Sequence, residues 1–361
     1  MKRALNFNPG PAVLPLEVLK EAQAELLDFA GTGMSILEVS HRSADYEKMH
    51  NETQALLREL LGLGDNYKVM FLGGGASTQF LMVPMNYLAD GKVADYILTG
   101  DWSRKAHKEA KGVGKTNVAA TTEVDGRFAR IPRQDELKLT DGAAYVHLTS
   151  NNTIFGTQWQ TFPDVKAPLI ADMSSDFCWR PFDAKRFSLI YAGAQKNMGP
   201  AGVTVIVVRD DLLATAKAGL PTMMSHKVHA ENNSLFNTPP CFAIYLVGKV
   251  LKWIKGKGGL VAIEKANRAK GDLLYGTIDK HAGFYKAPVE KGSRSYMNVV
   301  FRLPTEELEK KFLDEAKKQS MIGLKGHRSV GGIRVSIYNA ALLEWVQSVT
   351  QFMEEFVKRN G

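Results

Sequence analysis

Two stretches of the sequence decide the fold: Ile170-Ala171-Asp172, and Tyr191-Ala192-Gly193-Ala194-Gln195-Lys196-Asn197. In each, a short apolar run leads to a charged residue, a carboxylate in the first and an amine 24 positions later in the second. Buried strands of a parallel sheet have this pattern, with the charged residue at the tip where the chain leaves the sheet. Either residue alone is more often a helix cap or a solvated loop residue. Together they predict two neighbouring strand tips, one carrying a carboxylate and the other an amine.

Short apolar runs alternate with stretches of helical periodicity over most of the chain. The runs that predict strands are residues 68–72, 94–98, 143–148, 168–171, 189–192 and 203–208. Apolar residues recur about every 3.6 positions in 15–29, 46–61, 80–88, 242–255 and 260–279. This alternation predicts an α/β fold in which helices cover both faces of a mostly parallel sheet.

A change of pattern at Lys255-Gly256-Lys257-Gly258-Gly259 indicates a domain boundary. Beyond it, residues 297–302, 306–319, 333–337 and 341–357 have the periods of a strand, a helix, a strand and a helix. We therefore expect a large domain over residues 16–258, and a small α+β domain made of residues 1–15 and 259–361.

Composition argues against several classes of protein. The 361 residues are 45% hydrophobic, and no early apolar run is long enough for a signal peptide or a membrane span, so we expect a cytosolic protein. Cys178 and Cys241 are too few for a disulfide framework and lack metal-ligand spacing. The net charge of +8 is spread thinly, without a nucleic-acid-binding motif, and an attraction for anionic metabolites explains it as well.

The run Gly73-Gly74-Gly75-Ala76-Ser77 lies between a predicted strand and a predicted helix. Glycines let backbone N–H groups approach a phosphate, and a helix N-terminus adds partial positive charge. The run is neither G-x-G-x-x-G nor a loop that ends in Gly-Lys-Ser/Thr, so it does not indicate a dinucleotide or nucleoside triphosphate site. A glycine turn capped by Ser77 is the structural alternative.

An amine, a carboxylate and a phosphate loop are the groups that pyridoxal phosphate needs. The lysine forms an imine with the aldehyde, and the carboxylate keeps the pyridine nitrogen protonated so that the ring can take up electrons. Trp102 follows a predicted strand and could stack on the ring, and Thr153 follows another and could bind the ring hydroxyl. Alone, each of the two is more often a packing or turn residue.

Two His-Arg pairs, His41-Arg42 and His327-Arg328, are far apart in the chain, and Arg334 lies in a predicted strand. A planar guanidinium binds carboxylate or phosphate through two hydrogen bonds, and His adds a donor. The pairs therefore predict an anionic substrate with more than one acidic group.

Over essentially its whole length the chain resembles the phosphoserine aminotransferase family. The resemblance rests on Asn6-Phe7-Asn8-Pro9-Gly10-Pro11-Ala12, Glu38-Val39-Ser40-His41-Arg42, the Gly73-Gly74-Gly75 loop, Ala192-Gly193-Ala194-Gln195-Lys196-Asn197, Phe236-Asn237-Thr238-Pro239-Pro240, Gly326-His327-Arg328 and Gly331-Gly332-Ile333-Arg334. It implies a homodimeric enzyme of fold type I that binds pyridoxal 5′-phosphate, with a mostly parallel seven-stranded sheet sandwiched by helices and a small α+β C-terminal domain. The implied reaction moves an amino group between L-glutamate and 3-phosphohydroxypyruvate, giving O-phospho-L-serine and 2-oxoglutarate. Use of the phosphorylated four-carbon keto acid of vitamin B6 synthesis is left open.

The resemblance also implies a role for each site residue. Lys196 would be the Schiff-base lysine and Asp172 the partner of the pyridine nitrogen, with Trp102 stacked on the ring and Thr153 at its hydroxyl. The cofactor phosphate would be held by Ala76, Ser77 and Gln195, with Asn237 and Thr238 reaching in from the partner subunit. The substrate anions would be bound by Arg42 and Arg334, with His41, His327 and Arg328 around the substrate phosphate. No metal is expected.

Two departures and three alternatives accompany this interpretation. Ser77 stands where some members of the family carry arginine, and Asn8-Pro9 stands where some carry Ser-Ser. An alanine– or serine–glyoxylate aminotransferase has the same fold. A cysteine desulfurase needs a reactive cysteine on a mobile C-terminal loop, where neither cysteine lies. A basic, non-catalytic protein that binds nucleic acid or anionic surfaces would be colourless, whereas a pyridoxal enzyme is yellow.

Overall fold

The computed structural model describes residues 3–361, so Met1 and Lys2, which the sequence assigns to the small domain, lie outside the described residues. The strands are β1 (Leu5–Asn6), β2 (Tyr67–Leu72), β3 (Val93–Leu98), β4 (Lys115–Thr121), β5 (Glu123–Val124), β6 (Arg127–Phe128), β7 (Tyr145–Thr149), β8 (Leu169–Asp172), β9 (Leu189–Gly193), β10 (Thr204–Arg209), β11 (Asn298–Phe301), β12 (Met321–Ile322) and β13 (Ile333–Ser336). The helices are α1 (Leu16–Glu25), α2 (Ala44–Leu61), α3 (Gly75–Tyr87), α4 (Asp101–Lys111), α5 (Asp210–Ala214), α6 (His226–Glu231), α7 (Cys241–Gly256), α8 (Gly259–Lys280), α9 (Glu306–Lys318) and α10 (Leu343–Asn360). In this described part of the chain, no helix has both the length and the apolar character that crossing a membrane requires.

A seven-stranded sheet with the order β2-β10-β9-β8-β7-β3-β4 forms the centre of the molecule. β10 runs antiparallel to both of its neighbours, and all other neighbouring strands are parallel. The prediction of an α/β fold with a mostly parallel sheet is therefore confirmed. The inner strands are continuous apolar runs because both faces are buried: Ala171 and Ile190 pack into the core on one face, and Ile170 and Leu189 into the core on the other.

The elements of the large sheet region that the sequence did not predict include the strand β4 and the helix α4. In the edge strand β4 only Ala119 is buried, and α4 buries only Ser103, Ala106 and Ala110. A periodic apolar pattern appears in the sequence only where an element buries an apolar face, so a polar edge strand and a helix with a narrow face of small residues leave little signal. The six predicted strands, by contrast, match β2, β3, β7, β8, β9 and β10 to within two residues at each end.

The C-terminal third forms a second, smaller core. β11 pairs with β13 and β1 with β12, so the N-terminal strand joins this region. Helices α8, α9 and α10 pack around a cluster that includes Phe312, Phe352 and Phe356.

Helix α8 connects the two cores. Its first turns bury Leu260 and Ile263 in the core against the main sheet, and its later turns bury Leu274 and Ile278 in the second core. The exact division of the chain into domains, at residues 15/16 and 258/259, stays a prediction because one continuous helix belongs to both cores.

Candidate active site

The two strand tips identified in the sequence are neighbours in the sheet. β8 ends at Asp172 and β9 at Gly193, and the two strands are parallel, with Asp172 paired to Tyr191. Lys196 lies three residues beyond the end of β9. Ligands of open α/β sheets bind outside the carboxyl ends of the strands. The sheet therefore brings this carboxylate and this amine to one edge.

The amine of Lys196 is partly buried among polar and aromatic groups. Its Nζ donates a hydrogen bond to Thr153 Oγ1 at 2.7 Å and lies 5.5 Å from the centre of the Trp102 ring. Burial lowers the pKa of Lys196 to about 8; the negative charge of Asp172 opposes this shift, and the positive charge of Arg334 adds to it. Near neutral pH a fraction of the amine is therefore unprotonated and able to act as a nucleophile or a base.

Asp172 is buried and is held by one neighbour. Its Oδ1 accepts hydrogen bonds from Ser174 N at 2.9 Å and from Ser174 Oγ at 2.6 Å. Burial raises the pKa of Asp172, while the Ser174 hydroxyl and the charge of Lys196 oppose the rise. The sequence analysis missed Ser174, although the spacing Asp-x-Ser fits an Asx turn, in which the Asp side chain accepts from the backbone two residues on.

The glycine run forms the start of α3. Gly74 precedes the helix with φ +88°, and a Cβ at this position would overlap Thr78 Oγ1, so only glycine fits. The backbone N–H groups of Gly75, Ala76 and Ser77 lie in the first turn, where a helix supplies no carbonyl partner. These amides, together with the exposed Ser77 side chain, are the donors that a phosphate would meet.

A segment near the N-terminus lies against Lys196. Ala12 N donates a hydrogen bond to Gln195 O at 2.8 Å. Gly10 has φ +142°, and a Cβ there would lie 3.1 Å from Lys196 Cγ. The sequence does not predict the contact between Gly10 and the lysine side chain. The local pattern Pro9-Gly10-Pro11 indicates a turn but not which distant residue the turn packs against.

Arg334 reaches the same edge of the sheet from β13. Its side chain is buried, and Nη1 donates to Thr153 O at 3.0 Å, which joins it to the residue that holds Lys196 Nζ. Its Nε has no hydrogen-bond partner among residues 3–361. His327 is half-buried; burial is the main cause that lowers its pKa, and the charge of Arg334 contributes to the same shift. Arg328, the next residue, is exposed. Of the residues that the sequence predicts to bind anions, Arg334 therefore lies beside the Thr153 that contacts the amine, and His327 lies near Arg334.

Within residues 3–361, no hydrogen bond joins the Lys196 side chain to either of two loops singled out in the sequence, the loop of His41-Arg42 and the loop of Asn237-Thr238. His41 is buried and Arg42 exposed in the loop before α2, and no hydrogen bond or ion pair between described residues joins either to Lys196. Asn237 and Thr238 are exposed and line a cavity of about 300 Å³ together with the glycine run of their own chain.

The assembled groups suit an organic cofactor better than a metal. Among residues 3–361, no cluster of three or more His, Cys, Asp or Glu side chains is arranged to hold a metal ion. The edge instead offers an amine, a buried carboxylate, an indole ring and a helix N-terminus. These groups match an aldehyde, a basic ring nitrogen, a flat ring and a phosphate.

Comparison with known proteins agrees with this geometry. The family model described as Aminotransferase class-V matches residues 4–349. A phosphoserine aminotransferase from Niallia circulans is 55% identical over 361 residues, covering 100% of this chain and 99% of that protein. The solved phosphoserine aminotransferase from Bacillus circulans subsp. alkalophilus is also 55% identical, with a TM-score of 0.98 and 100% of both chains covered. A PLP-bound phosphoserine aminotransferase from Trichomonas vaginalis is 39% identical, with a TM-score of 0.93, 98% of this chain covered and 100% of that one.

These relatives match the chain along nearly its full length, in sequence and in structure alike. The chain belongs to the phosphoserine aminotransferase family, within the class-V aminotransferases.

Proposed function

We propose that this enzyme transfers an amino group between L-glutamate and 3-phosphohydroxypyruvate, giving O-phospho-L-serine and 2-oxoglutarate in serine biosynthesis. Relatives between 52% and 57% identical over nearly their full length are phosphoserine aminotransferases, which favours this reaction over that of a serine– or alanine–glyoxylate aminotransferase. The observation that carries the proposal is the Lys196 amine, hydrogen-bonded to Thr153 at the sheet edge that also holds Asp172. We also place the reaction in the cytoplasm, because Cys178 and Cys241 are free thiols.

The residues present fit pyridoxal 5′-phosphate. This group supplies an aldehyde that reacts with amines and a pyridine ring that draws electrons from a bound amino acid. Lys196 would hold the aldehyde carbon, Asp172 the ring nitrogen and Thr153 the ring hydroxyl. Trp102 would cover the ring, and its buried Nε1, which has no partner among residues 3–361, is available to a bound group. The amides at the start of α3, with Ser77, would meet the phosphate.

Lys196 is the residue that moves the proton. As a free amine beside the bound substrate, it would accept the proton from the substrate Cα and later give that proton up again, so that it would act first as a base and then as an acid. Its lowered pKa keeps part of it unprotonated near neutral pH, as this role requires. Thr153 orients the amine through the 2.7 Å hydrogen bond.

Asp172 acts through its charge. Its Oδ1 is occupied by Ser174, and no hydrogen bond from the described residues reaches Oδ2, which is therefore free for a protonated ring nitrogen. A carboxylate fixed at this point would favour a protonated ring nitrogen when the cofactor is bound, and would thereby help to stabilise negative charge at the substrate Cα. Burial strengthens the interaction because little water screens it.

Both substrates carry an α-carboxylate and a distal anion, which is a carboxylate in one and a phosphate in the other. Arg334 is our choice for the shared α-carboxylate, because it is buried beside Thr153 and its Nε is free among the described residues. The distal anion is assigned to His41, Arg42, His327 and Arg328, where several donors can meet planar or tetrahedral oxygens. With these four residues the substrate phosphate has basic partners, although Ser77 stands where some members of the family carry arginine.

A homodimer would complete the site. The loop of His41-Arg42 also exposes Leu37, whose side chain is 64% exposed, and the loop of Asn237-Thr238 exposes Phe236 to 45%. Large apolar side chains exposed beside polar binding residues suit an interface between two copies of the chain. We propose that these two loops meet the active site of the partner subunit.

The proposed reaction is tested by a coupled assay with glutamate and four keto acids. These are 3-phosphohydroxypyruvate, the phosphorylated four-carbon acid of vitamin B6 synthesis, unphosphorylated hydroxypyruvate, and glyoxylate. We expect a clear preference for the phosphorylated acids. A preference for glyoxylate would instead identify a glyoxylate aminotransferase.

Single-turnover measurements of the two half-reactions test the substrate contacts. His327→Ala and Arg328→Ala should impair the phosphorylated keto acid more than glutamate, whereas Arg334→Ala should impair both alike. Losing one charge-assisted contact costs about 2–4 kcal/mol, so we expect catalytic efficiency to fall roughly 30- to 1000-fold. Equal losses for both substrates in all three variants would show that the phosphate is held elsewhere.

A further inference from the structure

Ser174 connects the two strand tips that carry the active site. It is buried, and its Oγ donates to Asp172 Oδ1 at 2.6 Å and accepts from Gly193 N at 3.0 Å. Gly193 is the last residue of β9, three positions before Lys196. A serine hydroxyl has one proton and two lone pairs, so it can make both bonds at once, donating to the carboxylate and accepting from the amide.

The same hydroxyl determines which oxygen of Asp172 is available. Ser174 N and Ser174 Oγ both bind Oδ1, so the carboxylate cannot rotate without breaking two hydrogen bonds. Within residues 3–361, Oδ2 is left without a protein donor. Hydrogen bonds to charged groups are stronger than those between neutral groups, so the 2.6 Å contact is a substantial restraint.

We propose that Ser174 is a positioning residue for amino transfer, whose hydroxyl orients Asp172 towards the cofactor ring nitrogen and ties it to the strand end that leads to Lys196. This inference rests on the function proposed above. It assigns to Ser174 a contribution to catalysis although the residue touches neither substrate nor the reacting atoms.

The neighbouring Ser175 provides a matched control. It is buried as well, and its Oγ donates to Asn151 O and accepts from Asn151 Nδ2, each at 2.8 Å. Ser175→Ala therefore removes a buried hydroxyl with two hydrogen bonds, as Ser174→Ala does, but leaves Asp172 untouched. A role in stability alone would affect the two variants alike.

The experiment compares Ser174→Ala, Ser174→Thr and Ser175→Ala as holoenzymes. We expect Ser174→Ala to lower the turnover number roughly 10- to 100-fold while the KM for glutamate changes little, because a charge-assisted hydrogen bond is lost away from the substrate. The pH dependence of the visible cofactor absorbance should also shift in Ser174→Ala, since a mobile carboxylate holds the ring proton less firmly. Ser174→Thr keeps the hydroxyl and should recover most of the turnover, and Ser175→Ala should resemble the wild type.

A double-mutant cycle tests whether Ser174 acts through the charge of Asp172. In the Asp172→Asn background, Ser174→Ala should cost little further turnover, because the carboxylate that it orients is gone. If Ser174→Ala does not fold, Ser174→Cys retains a side chain of similar shape with a much weaker donor and is compared in its place.

Two outcomes would overturn the inference. One is a Ser174 variant with the turnover and absorbance profile of the wild type, and the other is equal losses in the Ser174→Ala, Ser174→Thr and Ser175→Ala variants. Failure of the proposed function would look different, because the wild-type protein itself would then lack the cofactor absorbance and the transaminase activity.

Discussion

At the scale of single residues, the ionisation of Lys196 depends on its surroundings. Burial lowers its pKa to about 8, from 10.5 for an exposed lysine, and Asp172 limits the drop. Below the lowered pKa the amine is protonated and unreactive, and above it the amine is free to attack an aldehyde. The fold thus makes this lysine reactive in a pH range where a lysine in water is ordinarily protonated.

The pH dependence of cofactor capture by the apoprotein follows from this pKa. We expect the rate of covalent capture of pyridoxal phosphate to rise as the pH increases through about 8 and to level off above it. Stopped-flow absorbance over roughly pH 6–10 measures the rate, with N-acetyl-lysine as the reference for an unperturbed amine. Lys196→Ala should give no borohydride-fixed product. A rate that keeps rising to the top of the range, as for the reference amine, would contradict the assignment.

Several single-residue features could be read from the sequence because each has a local signature. Lys196 and Asp172 end apolar runs, and Ala76 and Ser77 follow a glycine run. Ser174 could not be assigned in the same way. Its role depends on an amide 19 positions away in β9, and no local pattern states which strands become neighbours.

At the scale of elements, the turn into α3 requires a residue with a left-handed backbone conformation. Gly74 has φ +88° and lies against Thr78, whereas a Cβ on Gly73 would have no atom within 4 Å. The two neighbouring glycines therefore differ in how well they tolerate a side chain. The difference arises from the helix start, where the backbone must turn so that its first amides are free.

Gly74→Ala should weaken cofactor binding far more than Gly73→Ala. Left-handed backbone costs a non-glycine residue about 1–2 kcal/mol, and the overlap with Thr78 adds to this, so we expect at least a tenfold weaker binding of pyridoxal phosphate. Fluorescence titration of both apoproteins measures the dissociation constants. Equal affinities in the two variants would show that the helix start does not hold the phosphate.

Helix α8 is fastened to the second core by a buried lysine. Lys270 Nζ donates to the carbonyl oxygens of Ile337, Tyr338 and Ala341 at 3.0, 2.7 and 3.0 Å. The carbonyls belong to the turn that follows β13, the strand that carries Arg334. One lysine side chain therefore holds the bridging helix against the segment that follows the strand of Arg334, the residue that we propose binds the substrate α-carboxylate.

Lys270→Met should destabilise the protein severely. Three buried carbonyl groups would lose their donor, at about 1–3 kcal/mol each, so we expect the free energy of unfolding to fall by about 3 kcal/mol or more. Urea unfolding followed by circular dichroism measures the change. Lys265→Met, at an exposed position on the same helix, is the control and should shift stability by less than about 0.5 kcal/mol. Similar midpoints for the two variants would argue against this role.

At the scale of the whole molecule, the sequence predicted the main architecture but not the way its parts are joined. Six apolar runs predicted six strands of the central sheet because the strands of a sheet that is covered on both faces need apolar residues on both sides. The edge strand β4 and the bridging role of α8 were not predicted. Both depend on which surfaces pack against other surfaces, and a local pattern of apolar residues does not contain that information.

Subunit complementation tests whether one active site uses two chains. Thr238 lies beside the glycine run of its own chain, so it could serve either the active site of its own chain or that of the partner subunit. These two possibilities predict opposite results when two inactive variants are combined. Lys196→Ala and Thr238→Asp chains are each expected to be inactive, the second because its charge repels a phosphate. If Thr238 serves the partner subunit, co-expression should restore roughly a quarter of wild-type activity through hybrid dimers with one intact site. No recovery in verified hybrid dimers would place Thr238 in the site of its own chain.

The position of β2 at the edge of the sheet affects when the growing polypeptide can fold during its synthesis on the ribosome. Within the central sheet β2 pairs only with β10, and Leu72 pairs with Thr204, which is 132 positions later in the chain. The ribosome adds about 5–20 residues per second, so a growing chain carries β2 unpaired for on the order of ten seconds. The glycine run, which we propose to bind the cofactor phosphate, follows β2 directly, and the end of β2 beside it pairs only after Thr204 has emerged. A nascent chain therefore lacks the pairing that anchors this turn until more than half of the protein has been made, and we expect cofactor to be loaded only after that point.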